Sequence, residues 1–238
     1  KLLNSNIIVA KQNTKETMDY IKQSISKNSS NKIVFNKDFN YSSKENGFFY
    51  YEDKIGSINL PIPNVLGQFQ FENISTAIAT LRTIKETKIN DMHIKSGITK
   101  INSIARLHEI TKGKLKDLAK NTRLFVDGSH NPLGAKVLNE YLESLDCNKH
   151  IILGMMANKD HQEYISYFKN ITTFTTIDIP NQPNSIKGKE LKEKLNKYKN
   201  VQHKQNIFEA IKSIPAKENE LILITGSLYL AGEVLNLN

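Results

Sequence analysis

From Arg123 onward, short apolar runs alternate with segments whose apolar residues recur every three or four positions. The runs 123–127, 150–156, 172–179 and 220–226 read as strands, with 201–203 as a further short one. The segments 132–145, 159–169, 187–199 and 206–213, and a last one near 228–236, read as helices. This alternation predicts a mostly parallel sheet covered on both faces, the α/β class. The amino-terminal part is patterned differently. Residues 7–10 and 33–35 are strand-like, and 14–26 is helical with Met18, Ile21 and Ile25 on one face. A polar segment at 28–46 reads as a loop or excursion. Residues 47–51 and 56–60 read as a hairpin across Glu52-Asp53-Lys54, ended by Pro61 and Pro63. Helices follow at 74–84 and 90–101, then an extended stretch at 104–110. The change of pattern places a domain boundary near Ser103, giving domains at 1–103 and 104–238.

The chain has 238 residues, enough for one large or two small domains. Its net charge of +9 comes from lysines spread along the chain, often beside Glu or Asp. That distribution describes a solvated surface and gives no dense basic block for nucleic acid. The single cysteine, Cys147, excludes an intramolecular disulfide framework and a cysteine-rich zinc site, and fits a reducing cytosol. No apolar run is long enough to span a membrane, and no secretory signal is evident. The chain begins at Lys1 and runs directly into a strand-like segment, so it reads as the continuation of something longer.

The strand 124–126 leads into Asp127-Gly-Ser-His-Asn-Pro132. Gly128 supplies backbone freedom at the bend, Asn131 can cap a helix, and Pro132 suits its first position. Asp127 and His130 therefore stand at a strand's carboxyl end beside a helix N-terminus, where α/β sheets bind nucleotides or carboxylates. Asp127 could accept from ribose hydroxyls or hold a metal or ammonium group; the plainer alternative is a local Asx turn. His130 could donate to phosphate or carboxylate. Four other stretches share this character. Gly67, Gln70 and Asn73 set primary amides near a helix start, suited to an adenine edge or to simple capping. Arg106, at the junction, could clamp a phosphate or form an interdomain salt bridge; His108 beside it reads as a strand surface residue. Lys159 and Asp160 could face a cleft or serve as a cap with a first-turn charge. Gly226-Ser227 repeats the strand–turn–helix junction and could bind an anion, with Tyr229 and Glu233 structural. Phosphate-loop, dinucleotide, zinc-protease and hydrolase-elbow motifs are absent.

Together these five stretches resemble folylpolyglutamate synthase/dihydrofolate synthase, a family of the Mur ligase superfamily. That family carries Gly-x-His-Gln-x-x-Asn-Ala, then Gly-Arg, Asp-Gly-Ala-His-Asn-Pro, a Lys-Asp turn, and Gly-Ser-Leu-Tyr. Here the order is Gly67, Gln70 and Asn73, then Arg106, Asp127 to Pro132, Lys159-Asp160, and Gly226 to Tyr229. Phe69, Ala105 and Ser129 replace the family's His, Gly and Ala. The resemblance implies the end of a Mur-ligase central ATPase domain at 1–103. It implies a Rossmann-like carboxy-terminal domain with a mostly parallel sheet at 104–238. It also implies an ATP-dependent amide ligase in a cytoplasmic, monomeric full-length form, with no nucleic-acid or membrane partner. ATP phosphorylates a carboxylate of dihydropteroate or a folate, and L-glutamate attacks the acyl phosphate. By the match, Asn73 contacts adenine, Arg106 the phosphates and Asp127 the ribose. His130 lies near phosphate and glutamate, Ser227 helps bind glutamate, and His130 and Arg106 are the catalytic pair. The phosphate loop, the Mg²⁺ ligands and much of the folate site belong to the family's amino-terminal half. The isolated chain is therefore expected to be inactive. A nucleotide- or anion-binding module, a subunit working with a separate amino-terminal half, and a remnant stay open as alternatives.

Overall fold

The computed structural model describes residues 5–27, 30–44, 48–67, 69–84, 88–198, 200–215 and 217–238. Parts of the expected 28–46 excursion, Gly47 of the expected hairpin, Gln68 of the glycine turn and Lys199 of the expected 187–199 helix lie outside these residues. The chain divides into two compact units, Lys1–Asn102 and Ser103–Asn238.

The first unit runs β1 (Asn6–Val9), α1 (Lys15–Ser26), β2 (Asn31–Val34), β3 (Phe39–Lys44), β4 (Phe48–Asp53), β5 (Gly56–Pro61), α2 (Phe69–Thr83) and α3 (Asp91–Ile98). Strands β1 and β2 pair in parallel, and β3-β4-β5 form an antiparallel meander. The polar excursion thus contains a strand. Phe39 and Tyr41 alternate toward the core, and Phe39 stacks on Tyr51 at 6.3 Å. The intervening Asn and Ser residues hide this period of two. Helix α2 begins at Phe69 rather than Ile74. Helix α3 is held by a capping box between Asn90 and His93, and ends at Ile98.

The second unit runs β6 (His108–Glu109), α4 (Lys114–Ala119), β7 (Arg123–Val126), α5 (Pro132–Glu143), β8 (Asn148–Leu153), α6 (His161–Ser166), β9 (Thr173–Thr176), α7 (Gly188–Lys194), β10 (Val201–His203), α8 (Ile207–Lys212), β11 (Glu220–Thr225) and α9 (Leu228–Leu237). Its six-stranded sheet has the order β10-β9-β8-β11-β7-β6, parallel except for β6. The α/β class with a mostly parallel sheet is borne out. Every residue of β11 is buried, as a central strand covered on both faces requires. Leu124, Val126, Ile222 and Ile224 join α4, α8 and α9 in one core cluster. Phe125 points to the other face and meets Tyr141 of α5 edge-on at 6.1 Å. The helices following the neighbouring strands β7 and β11 therefore lie on opposite faces. That divergence is the topological switch point at which open α/β sheets form a crevice.

The expected extended stretch at 104–110 shrinks to the two residues of β6. Ala105 and Leu107 have positive φ, 58° and 45°, so the backbone turns there. Helix α4 follows, where no element was read from the sequence.

Candidate functional site

Register places the carboxyl ends of β7 and β11 side by side, with Val126 opposite Ile224 and the Asp127 N–H bonded to the Ile224 carbonyl at 2.9 Å. Three backbone segments meet there: 105–107, 127–131 and 226–229. Gly128 N–H donates to the Ala105 carbonyl at 2.9 Å, and Gly226 N–H to the Ser129 carbonyl at 3.1 Å. Gly226 is required by geometry: its φ is 107°, and a Cβ would lie 2.7 Å from the Gly154 carbonyl oxygen. The turn leads into α5 as its sequence dictates. The Asn131 side chain accepts the Gly134 N–H at 2.8 Å, and Pro132 takes the first turn.

Asp127 is 1% exposed. Its Oδ2 accepts the Leu107 N–H and its Oδ1 the Ser129 N–H, each at 2.7 Å. The carboxylate thus braces two backbone segments, and the Asx turn accompanies a longer-range contact. His130 is half-buried, and its Nδ1 lies 3.0 Å from the Gly128 carbonyl. A carbonyl can only accept, so Nδ1 is the donor in this bond. Arg106 is exposed and its guanidinium makes no ion pair among the described residues. Ser227 is 2% exposed, and its hydroxyl caps α9 by accepting the Tyr229 N–H at 3.1 Å. Leu228 packs against Gly128.

Elsewhere the residues singled out from sequence take plainer roles. Asp160 caps α6 through the Glu163 N–H at 2.9 Å, while Lys159 is half-buried with no ion pair among the described residues. In the first unit, Asn73 lies on α2 rather than at its cap and donates to the Gln70 amide oxygen at 3.0 Å. Phe69 folds its ring over Gly67. His108 is half-buried on β6. A cleft of about 790 Å³ beside edge strand β10, lined by Lys189, Lys192, Tyr198 and His203 among others, contains none of the singled-out residues. Among the described residues no cluster of three or more His, Cys, Asp or Glu could hold a metal, and no helix is long and apolar enough to cross a membrane.

Sequence reasoning missed Tyr164 and Thr225. Tyr164 is fully buried, its hydroxyl 3.1 Å from the Ser129 carbonyl and 2.8 Å from Thr225 Oγ1. Burial pushes its phenol far up, with the nearby charge of Asp127 adding to the effect, so it stays protonated. A tyrosine on an amphipathic helix reads simply as core, so the sequence carried no signal for this role.

Residues 113–228 match the Mur ligase, glutamate ligase domain family. The matched residues lie within the second unit. A curated relative, the dihydrofolate synthase/folylpolyglutamate synthase of Bacillus subtilis, is 25% identical over 182 residues, covering 72% of this chain and 39% of the relative. Escherichia coli FolC, solved in complex with DHPP and ADP, superposes with a TM-score of 0.81 at 21% identity, over 99% of this chain and 53% of that one. The folylpolyglutamate synthase of Thermotoga maritima gives 0.77 at 21% identity, over 98% and 54%. The chain thus spans about half the length of these solved relatives. The resemblance to the carboxy-terminal portion of folylpolyglutamate synthase/dihydrofolate synthase, read from the motifs, is borne out.

Proposed function

We propose that this chain supplies the carboxy-terminal part of an ATP-dependent ligase that adds L-glutamate to dihydropteroate, to a folate, or to both. One observation carries the reading. The turn after β7 sets half-buried His130, its Nδ1 tied to the Gly128 carbonyl, beside the N-terminus of α5, and the neighbouring segment carries the exposed Arg106. Groups of this kind suit the phosphate and carboxylate anions that such a ligase handles.

In the proposed reaction ATP phosphorylates the acceptor carboxylate. The glutamate amine attacks the acyl carbon, the amide bond forms and inorganic phosphate leaves. Arg106 neutralises charge on the phosphates, and His130 meets phosphate and the incoming glutamate through Nε2. Asn73 reads the adenine edge with its exposed amide. Asp127 and Ser227 were expected at ribose and glutamate. Their buried side chains bond inward, so in this reading they shape the turn that presents His130 and Arg106. Mg²⁺ neutralises phosphate charge in this class of reaction. The described residues offer it no cluster of ligands. The free, half-buried Cys147 suits the reducing cytoplasm in which this reading sets the protein, as part of a monomeric ligase.

Following the His130 ring by NMR while adding L-glutamate or ADP tests the assignment. The expected result is a saturable shift of the His130 signals, with the ADP response weakened in Arg106→Ala. His130 signals unmoved by either ligand would overturn it.

A further inference from the structure

We propose that Tyr164 and Thr225 form a directional hydrogen-bond latch that positions His130. The inference rests on the reading that His130 faces the ligands, while the latch itself can be tested without any ligand.

The geometry fixes the direction of the chain. The Ser129 carbonyl only accepts, so the phenolic proton of Tyr164 is committed to it at 3.1 Å. Tyr164 then has no proton left for Thr225, so the Thr225 hydroxyl donates to the phenol oxygen at 2.8 Å. Both side chains are buried, at 0% and 1% exposure, so no water competes for these bonds. The same Ser129 carbonyl accepts the Gly226 N–H at 3.1 Å. One oxygen atom thus collects α6 and the end of β11 onto the turn, one residue before His130.

The turn is also fastened by Asp127, whose carboxylate accepts the Leu107 and Ser129 N–H groups and whose N–H bonds the Ile224 carbonyl, and by Gly128 N–H to the Ala105 carbonyl. The His130 ring is tied to the turn itself through the Gly128 carbonyl. Loss of the phenol bond leaves the Ser129 carbonyl held by the Gly226 N–H alone and so loosens the peptide that aims the ring, while the β7–β11 ladder is untouched. Tyr164 and Thr225 touch no reacting atom in this arrangement; they are positioning residues.

Amide hydrogen exchange and the NMR titration of His130 test the latch in the full chain. Tyr164→Phe and Thr225→Val are expected to speed exchange of the Gly226 amide by about tenfold, as loss of one buried bond implies. They should also alter the His130 titration curve and leave exchange at Ile222, in the middle of β11, unchanged. Thr225→Ser restores the hydroxyl and should behave as wild type. Wild-type exchange at Gly226 together with a wild-type His130 titration in the variants would overturn the proposal. So would a uniform acceleration that includes Ile222, which marks a merely structural role. If Tyr164→Phe does not fold, the Thr225→Val and Thr225→Ser pair decides alone. Absence of a glutamate or ADP response at His130 would count against the ligand assignment and not against the latch.

Discussion

The Asp127 carboxylate accepts the Leu107 N–H at 2.7 Å, across a sequence separation of 20 residues. Leu107 directly follows Arg106, so the buried acid at the end of β7 sets the backbone that carries the exposed cation. Asp127→Asn replaces an acceptor for two backbone donors by a group with one acceptor oxygen and an N–H₂. One of the Leu107 and Ser129 amides then faces a donor in a buried site. A loss of about 2 kcal/mol in unfolding free energy is expected, measured by urea denaturation.

At the opposite end of the sheet, Glu220 and His150 form a buried pair at 2.6 Å. Burial alone would push the Glu220 carboxyl up. Hydrogen bonds from His150 and Asn148 more than offset this and hold it below the usual carboxylate range. A depressed folded-state pKa adds stability that is present above the unfolded value and lost as pH falls through the folded one. Glu220→Gln should therefore cost about 2 kcal/mol near neutrality, with the gap from wild type closing as pH falls below about 4. Denaturation curves at a series of pH values check this.

Within the first unit, Arg82 bonds Asp53 at 2.8 Å and Asp91 at 2.7 Å, and lies over the Tyr51 ring. Its planar fork joins the β4–β5 turn to the start of α3. Arg82 gives each carboxylate its own guanidinium nitrogen, where lysine offers a single ammonium on a flexible stem. Arg82→Lys should lower unfolding free energy by about 1–2 kcal/mol, seen as a lower midpoint in denaturant.

Those contacts also show which parts of the molecule were legible in its sequence. Local chemistry read well: Asn131 capping, Pro132 in the first turn of α5, and the apolar strand ending at Val126 are all as the residues dictate. The strand–helix alternation after Arg123 led to the parallel sheet. What failed was non-local. The stretch around Ala105 and Leu107 looks extended by composition, yet tertiary bonds to Gly128 and Asp127 hold both in the left-handed region. Strand β3 hides behind Asn and Ser because only two aromatics carry its alternation. Ser227 reads as an anion ligand at a helix N-terminus, and its buried hydroxyl accepts the Tyr229 N–H as the cap of α9. Tyr164 gave no sign of its contact with Ser129, because that pairing spans 35 residues.

Glutamate-dependent phosphate release tests the central claim most directly. The assay supplies ATP, a pteroate or folate acceptor and L-glutamate to the polypeptide that carries this chain together with an amino-terminal ATPase half. The reading predicts phosphate release that requires all three substrates and falls by about 10²–10³ in His130→Ala, while unfolding free energy stays within about 0.5 kcal/mol of wild type. Phosphate release indifferent to glutamate, or unchanged in His130→Ala, would contradict it.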